Sequence, residues 1–226
     1  MSPFSWFARL SGCAMGTGKG LYGLLPEDAD TDAYLRDFVH IHDPEKLAQS
    51  LIEAQAGYER ELRVAQAREN LISSGFALTE RTFLEAVRAG DERASRNFLL
   101  LGYSPDARDE FGLPALFLAV RSGNPNLVEL LVDYGATVDE QCGDRGTSPL
   151  MEASGTGQVV ITRQLLEAGA NPDMVSTYGQ SAAIVAASEG HAETLRLLLE
   201  WDARLDLVDH LGMTALKYAE LFHHDA

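Results

Sequence analysis

The chain has 226 residues, 46% of them apolar, which is enough for a substantial core in one large domain or in a domain with an extension. A formal charge of −16 opposes binding to phosphate backbones, because that binding depends on Lys and Arg neutralising phosphates, so nucleic acid is not an expected partner. Charged residues break every window before the roughly 18 uninterrupted apolar residues of a membrane helix are reached, and the two distant cysteines, Cys13 and Cys142, suggest neither a disulfide framework nor a zinc site.

Residues 1–30 form a Gly-rich, aromatic N-terminal segment. Within it SGCAMGTGKGLYG, residues 11–23, holds five glycines and a lysine, the ingredients of a phosphate loop. That loop requires G-x-x-x-x-G-K-[ST], since backbone amides wrap the phosphates and the hydroxyl holds magnesium. Here five residues separate Gly12 from Gly18-Lys19, Gly20 replaces the hydroxyl residue, and no strand–loop–helix context surrounds them. No nucleotide cofactor is expected. Leu10-Ser11-Gly12-Cys13 has the four letters that close a bacterial lipoprotein signal, but it lacks a basic n-region and Arg9 interrupts its apolar stretch. Phe4, Trp6, Phe7, Leu10, Leu21, Tyr22, Leu24 and Leu25 are an apolar set that packs on the N-terminal helices or inserts into a partner.

Residues 31–77 read as a helical extension. AYLRDFVHIH, residues 33–42, has a short helical pattern, and Asp43-Pro44 reads as an N-cap with proline at the first helical position. The helix it opens is expected to run to about Ser73, before Gly75. Leu47, Leu51, Ala54, Tyr58, Leu62, Ala65 and Ile72 make one apolar stripe along it. The stripe is expected to pack, as an N-terminal cap, on the part of the chain beyond residue 77; the alternative is pairing with a partner or a second copy, which Gly57 weakens as a long coiled coil.

From residue 78 the chain repeats itself. Gly90, Gly123, Gly157 and Gly190 are spaced 33, 34 and 33 apart, and Gly112, Gly146, Gly179 and Gly212 are spaced 34, 33 and 33. A third series is Gly102, Gly135 and Gly169, with Asp202 in the fourth place. After the second series come LPALFLAV, TSPLMEAS, QSAAIVAA and MTALKYAE, short helices that share Ala119, Ala153, Ala186 and Ala219 at one position. LVELLVDYGA, ITRQLLEAGA and TLRLLLEWDA come next, with leucines at i, i+3 and i+4 along one face. Each unit is thus two antiparallel helices and a hairpin-like turn. One pair cannot bury its own face, so the units must stack.

These residues resemble an ankyrin-repeat array over about residues 78–226. The likeness rests on Ser148-Pro149-Leu150 at a helix start, on Gly190-His191 between helices, and on the run from Leu165 to Asp173, LLEAGANPD. The implied fold is all-α: an ankyrin-repeat solenoid of four repeats, at about 78–108, 109–141, 142–175 and 176–208, plus a truncated fifth from 209, behind the N-terminal helical extension. Repeats two and four lack the usual threonine and histidine, having Pro114-Ala115-Leu116-Phe117 and Ser181-Ala182-Ala183-Ile184, which predicts looser interfaces there. The extra residue of repeat three falls in 136–145 and predicts an altered finger. Asp202 stands where a left-handed C-cap glycine is expected, in a conformation that Asp tolerates better than most residues.

The resemblance implies a non-enzymatic protein-binding module whose partner contacts the turn tips and the inner helices. Carried over position by position, the contact sites are Glu110, Phe111, Leu113, Arg121 and Ser122 in repeat two and Asp144, Arg145 and Thr147 in repeat three. Repeats four and five add Tyr178, Gln180, Ser188, Glu189, His210, Leu211 and Met213. Phe111, Tyr178, Leu211 and Met213 are apolar residues at tips expected to face water, which marks an interface. Residues 78–226 carry 23 acidic and 11 basic side chains, so the expected protein partner has a basic patch. No triad, nucleophile elbow or carboxylate pair is recognisable, and His40-x-His42 and His223-His224 lack companion ligands, so no catalytic or metal site is expected. The expected state is a monomer and the expected location cytoplasmic; a secreted effector, or a lipid-anchored protein if Leu10–Cys13 is a true signal, is the alternative. A second reading makes residues 1–77 a self-association or membrane-surface segment that the repeats cap.

Overall fold

The computed structural model describes residues 44–143 and 145–222. The Gly-rich segment, the Leu10–Cys13 motif, the apolar set from Phe4 to Leu25, the helix expected over 33–42, Asp144 and the His223-His224 pair lie outside the described residues. The chain divides into two compact units, residues 1–62 and 63–226. The described part of the first is the N-terminal part of helix α1, Pro44–Ser73; the second contains its last turns and the other helices.

The helix begins at Pro44 and stops where Gly75 (φ 82°) turns the chain, with the Phe76 amide donating to the Leu71 carbonyl at 2.9 Å. That six-to-one bond is a Schellman-type ending, and Phe76 follows it inward to meet Phe98 edge-on, ring centroids 5.9 Å apart.

Among the described residues four helix pairs and a single helix follow: α2 (Glu80–Arg88) with α3 (Glu92–Leu100), α4 (Ala115–Ser122) with α5 (Pro125–Asp133), α6 (Pro149–Gly155) with α7 (Val159–Glu167), α8 (Ala182–Glu189) with α9 (Ala192–Glu200), then α10 (Ala215–Phe222). Among the described residues there is no strand, only isolated antiparallel bridges at the feet of the fingers between pairs. The first helices touch through the small positions: Ala86, Ala119, Ala153 and Ala186 are all buried, while Ala219 in the last helix is only half-buried. The second helices stack through Phe98, Leu131, Leu165 and Leu198, which expose none of their surface. Every second helix ends alike, the amides of Tyr103, Ala136, Ala170 and Ala203 reaching back to Phe98, Leu131, Leu165 and Leu198. Asp202 takes the left-handed conformation at φ 57°, the one non-glycine to do so among the described residues, and the cap survives the substitution.

Three regular ties join successive repeats. Asp106, Asp139 and Asp173 accept hydrogen bonds from the backbone amides of Thr137, Asn171 and Arg204 at 2.7, 3.0 and 2.8 Å. Asn124 Nδ2 donates to the Gly90 carbonyl at 3.0 Å, and His191 Nε2 to the Gly155 carbonyl at 3.1 Å. Phe117 and Ile184, in the places where the ankyrin pattern has histidine, are buried, and Ile184 belongs to the apolar core.

The α1 stripe differs from expectation. Tyr58, Leu62, Ala65 and Ile72 are exposed, whereas Ala67 and Leu71 are 1% exposed and Val64 is half-buried. The side chains of Leu47, Leu51 and Ala54 lie outside the described ones. The buried face is 64, 67 and 71, at i, i+3 and i+7. In the last turns of α1 Leu71 joins Phe83 and Phe98 in the first repeat's core, so the periodicity of the whole helix does not report which face is covered.

Candidate protein-binding surface

Each finger is built by a polar side chain that folds the turn over itself. In finger two Asp109 Oδ1 accepts from the amides of Phe111 (2.9 Å) and Leu113 (2.8 Å). In finger four Ser176 Oγ does the same for Tyr178 and Gln180, and in finger five Asp209 Oδ1 for Leu211 and Met213. With the amides turned inward, the residue before each Gly112, Gly179 and Gly212 is pushed out: Phe111 is 69% exposed, Tyr178 53% and Leu211 80%. Arg145 holds the same register in finger three and is exposed too.

Finger three is the altered one. Gly143, at φ 67°, stands in the register of Asp109, Ser176 and Asp209, and so lacks the folding side chain. The inserted residue shifts the bridge, Cys142 pairing with Thr147 through two backbone bonds of 3.0 and 3.1 Å, while fingers two and four pair Arg108 with Pro114 and Val175 with Ser181. Cys142 Sγ donates to the Thr147 carbonyl at 3.3 Å. Burial, with Glu152 nearby, pushes this thiol up to about 12, so it is a packed side chain and no nucleophile.

Backbone bonds zip the fingers together. The Thr177 amide donates to the Arg145 carbonyl and the His210 amide to the Tyr178 carbonyl, each at 2.9 Å, so the tips from 145 to 211 form a continuous row. Asp209 anchors its end. Burial pushes its carboxyl up, but hydrogen bonds from Tyr218 Oη (2.6 Å) and from the Met213 and Leu211 amides outweigh this and hold it below the usual carboxylate range. The same contact holds the Tyr218 phenol above its ordinary value.

Between fingers three and four and helices α6 and α8 lies a groove of about 280 Å³. It brings together Arg145, Thr147, Tyr178, Gln180, Ser188 and Glu189 from the expected set. It adds Met151, Glu152 and Val185, which were not in the expected set; Glu152 and Val185 share a register that repeat two fills with the buried Leu118. Glu110, Phe111 and Arg121 lie apart in repeat two, all exposed, Arg121 Nε reaching Glu152 Oε1 at 3.5 Å. Ser122 is half-buried, its hydroxyl donating to the Ala119 carbonyl at 2.7 Å. His210 and Leu211 are exposed in finger five. Leu113 and Met213 are half-buried against the core, so Met213 is not the water-facing tip expected of it. Among the described residues no three His, Cys, Asp or Glu side chains gather as a metal site, and no helix is long and apolar enough to cross a membrane.

The family model of ankyrin repeats matches residues 83–176 and 157–226. The chain belongs to the ankyrin-repeat family. It is 33% identical over 218 residues to an ankyrin repeat-containing protein of Treponema pallidum, an alignment covering 96% of this chain and 73% of that protein. It is 32% identical over 155 residues to ankyrin repeat domain-containing protein 63 of Homo sapiens (64% of this chain, 40% of the relative). It is 36% identical over 104 residues to the ankyrin repeat and KH domain-containing protein mask-1 of Caenorhabditis elegans (45% and 4%). The Treponema alignment takes in residues ahead of the repeats, so that relative shares sequence with the extension as well as with the array. Ankyrin repeats are protein-interaction modules, and this chain carries that module.

Proposed function

We propose that the protein is a non-enzymatic binder that holds or inhibits a protein with a basic surface, using its finger tips and the groove beneath them. The exposed apolar tips Phe111, Tyr178 and Leu211 carry the reading. The outward direction of these tips is set by the inward hydrogen bonds of their own turns, so their exposure is built into each finger, and large apolar groups displayed in register favour an interface. The chain's acidic excess, a formal charge of −16, favours a positive partner.

The test is capture of partners from the native cell by wild type and by a chain carrying Phe111→Ala and Tyr178→Ala, compared by quantitative mass spectrometry. The specific partner is expected to fall at least tenfold with the circular dichroism spectrum unchanged; equal capture would remove the reading. A second reading, self-association through residues 1–77, is favoured by the exposure of Leu62 and Ile72 on α1. Light scattering of the full chain decides it: a monomer at high micromolar concentration excludes it, and a dimer lost on Ile72→Glu supports it.

A further inference from the structure

We propose that the groove between α6 and α8 is an anchor pocket for one long basic side chain, lysine or arginine, carried by an extended segment of the partner. This rests on the binding-module reading and names the chemistry that the surface takes.

The groove exists because two inner-helix positions are small. Gly155 and Ser188 share the register of Arg121, so repeats three and four lack the long side chain that repeat two carries there. A Cβ at Gly155 would meet Val185 Cγ1 at 2.7 Å, so a larger residue there requires the Val185 side chain to shift. At about 280 Å³ the space lies at the lower edge of small-molecule pockets, roughly 300 Å³ and upward, and suits a single side chain.

Its lining suits a cation on an apolar stem. Val185 and the half-exposed Tyr178 ring offer a wall for methylenes, and the ring face attracts a cation. Glu152 and Glu189 line the same space against one cation, Arg145. Glu152 already faces the Arg121 guanidinium of this chain at 3.5 Å, whereas Glu189 has neither hydrogen bond nor ion pair among the described residues. The Ser188 and Thr156 hydroxyls donate to the carbonyls of Val185 (2.9 Å) and Glu152 (2.8 Å), so they present acceptor lone pairs to any guest. Lysine and arginine heads are donors only, the complement of such a lining.

The experiment selects phage-displayed random heptapeptides on the immobilised full chain and measures the enriched peptides by fluorescence anisotropy. One shared Lys or Arg is expected, and norleucine at that place should weaken binding at least tenfold. Ser188→Arg, which fills the groove with a side chain of the chain's own, should abolish binding, and Glu189→Gln should lower affinity about fivefold, in keeping with a part-exposed charge pair. Phe111→Ala, in finger two, should leave the peptide's affinity unchanged while still weakening the native partner. Failure to enrich a shared basic residue, or equal affinity in wild type, Ser188→Arg and Glu189→Gln, overturns the pocket. The broader reading falls separately, if capture of the native partner ignores Phe111→Ala and Tyr178→Ala.

Discussion

Asp209 concentrates the physical chemistry of the last finger in one side chain. It folds the turn through two amides, receives the Tyr218 hydroxyl, and is 6% exposed, so its charge is tolerated only because three donors surround it. A carboxyl held below its ordinary value in the fold stabilises the protein above the unfolded value, about 4, and that contribution disappears as pH falls through the folded value. Asp209→Asn is therefore expected to lower the urea midpoint at pH 7, by about 1–3 kcal/mol of stability, and to differ less from wild type at pH 3. An equal loss at both pH values would show that geometry, not charge, is what the carboxylate supplies. Asp202 solves a different residue-scale problem: its short polar side chain accepts the φ of 57° that a branched side chain would resist.

At the scale of the element, stability comes from ties between neighbours. Asp106, Asp139 and Asp173 each hold an amide of the next repeat, and Asp206 is the next member of the same spacing. Asp206 pairs with Arg204 in its own loop instead. Asp139→Ala should cost about 1–2 kcal/mol by urea unfolding because it leaves the Asn171 amide unmatched, while Asp206→Ala should produce no measurable change. The end of α1 offers a second contrast. Leu71→Ala should cost about 2–5 kcal/mol because it opens a cavity against Phe83 and Phe98, whereas Ile72→Ala, at a side chain 59% exposed, should leave the midpoint within error. A reversal would place the covered face where the helix-long stripe suggested.

In the repeat stack, residues 78–226, acidic side chains outnumber basic ones by 23 to 11, and several of those basic ones are already committed. Arg88, Arg108 and Arg121 pair with Asp109, Glu140 and Glu152, each bridging one repeat to the next. The unmatched charge is thus mainly acidic and exposed, and its field is screened beyond about 8–10 Å at physiological ionic strength. Association with a basic partner is expected to slow at least tenfold between about 20 and 300 mM salt, with dissociation changing much less, measurable by surface plasmon resonance. An association rate indifferent to salt would remove the charge argument and leave the apolar tips to account for binding.

The repeat was legible in the sequence because each glycine series marks a backbone conformation that has to recur: a cap or turn at positive φ, which glycine adopts without strain. Period, helix pairs and the α1 terminus before Gly75 came from that local chemistry, as did the altered finger between Gly135 and Gly146. The aspartate ladder has the same periodicity but is not legible as a tie, since nothing about an isolated Asp in a loop says whether it meets water or the next repeat's amide. Which surfaces face each other depended on tertiary structure. Burial of Ala67 and Leu71, the inward turn of Met213, and the groove opened by Gly155 and Ser188 arise from how neighbouring elements approach, and a one-dimensional pattern of apolar spacing is the same whichever side the neighbour takes.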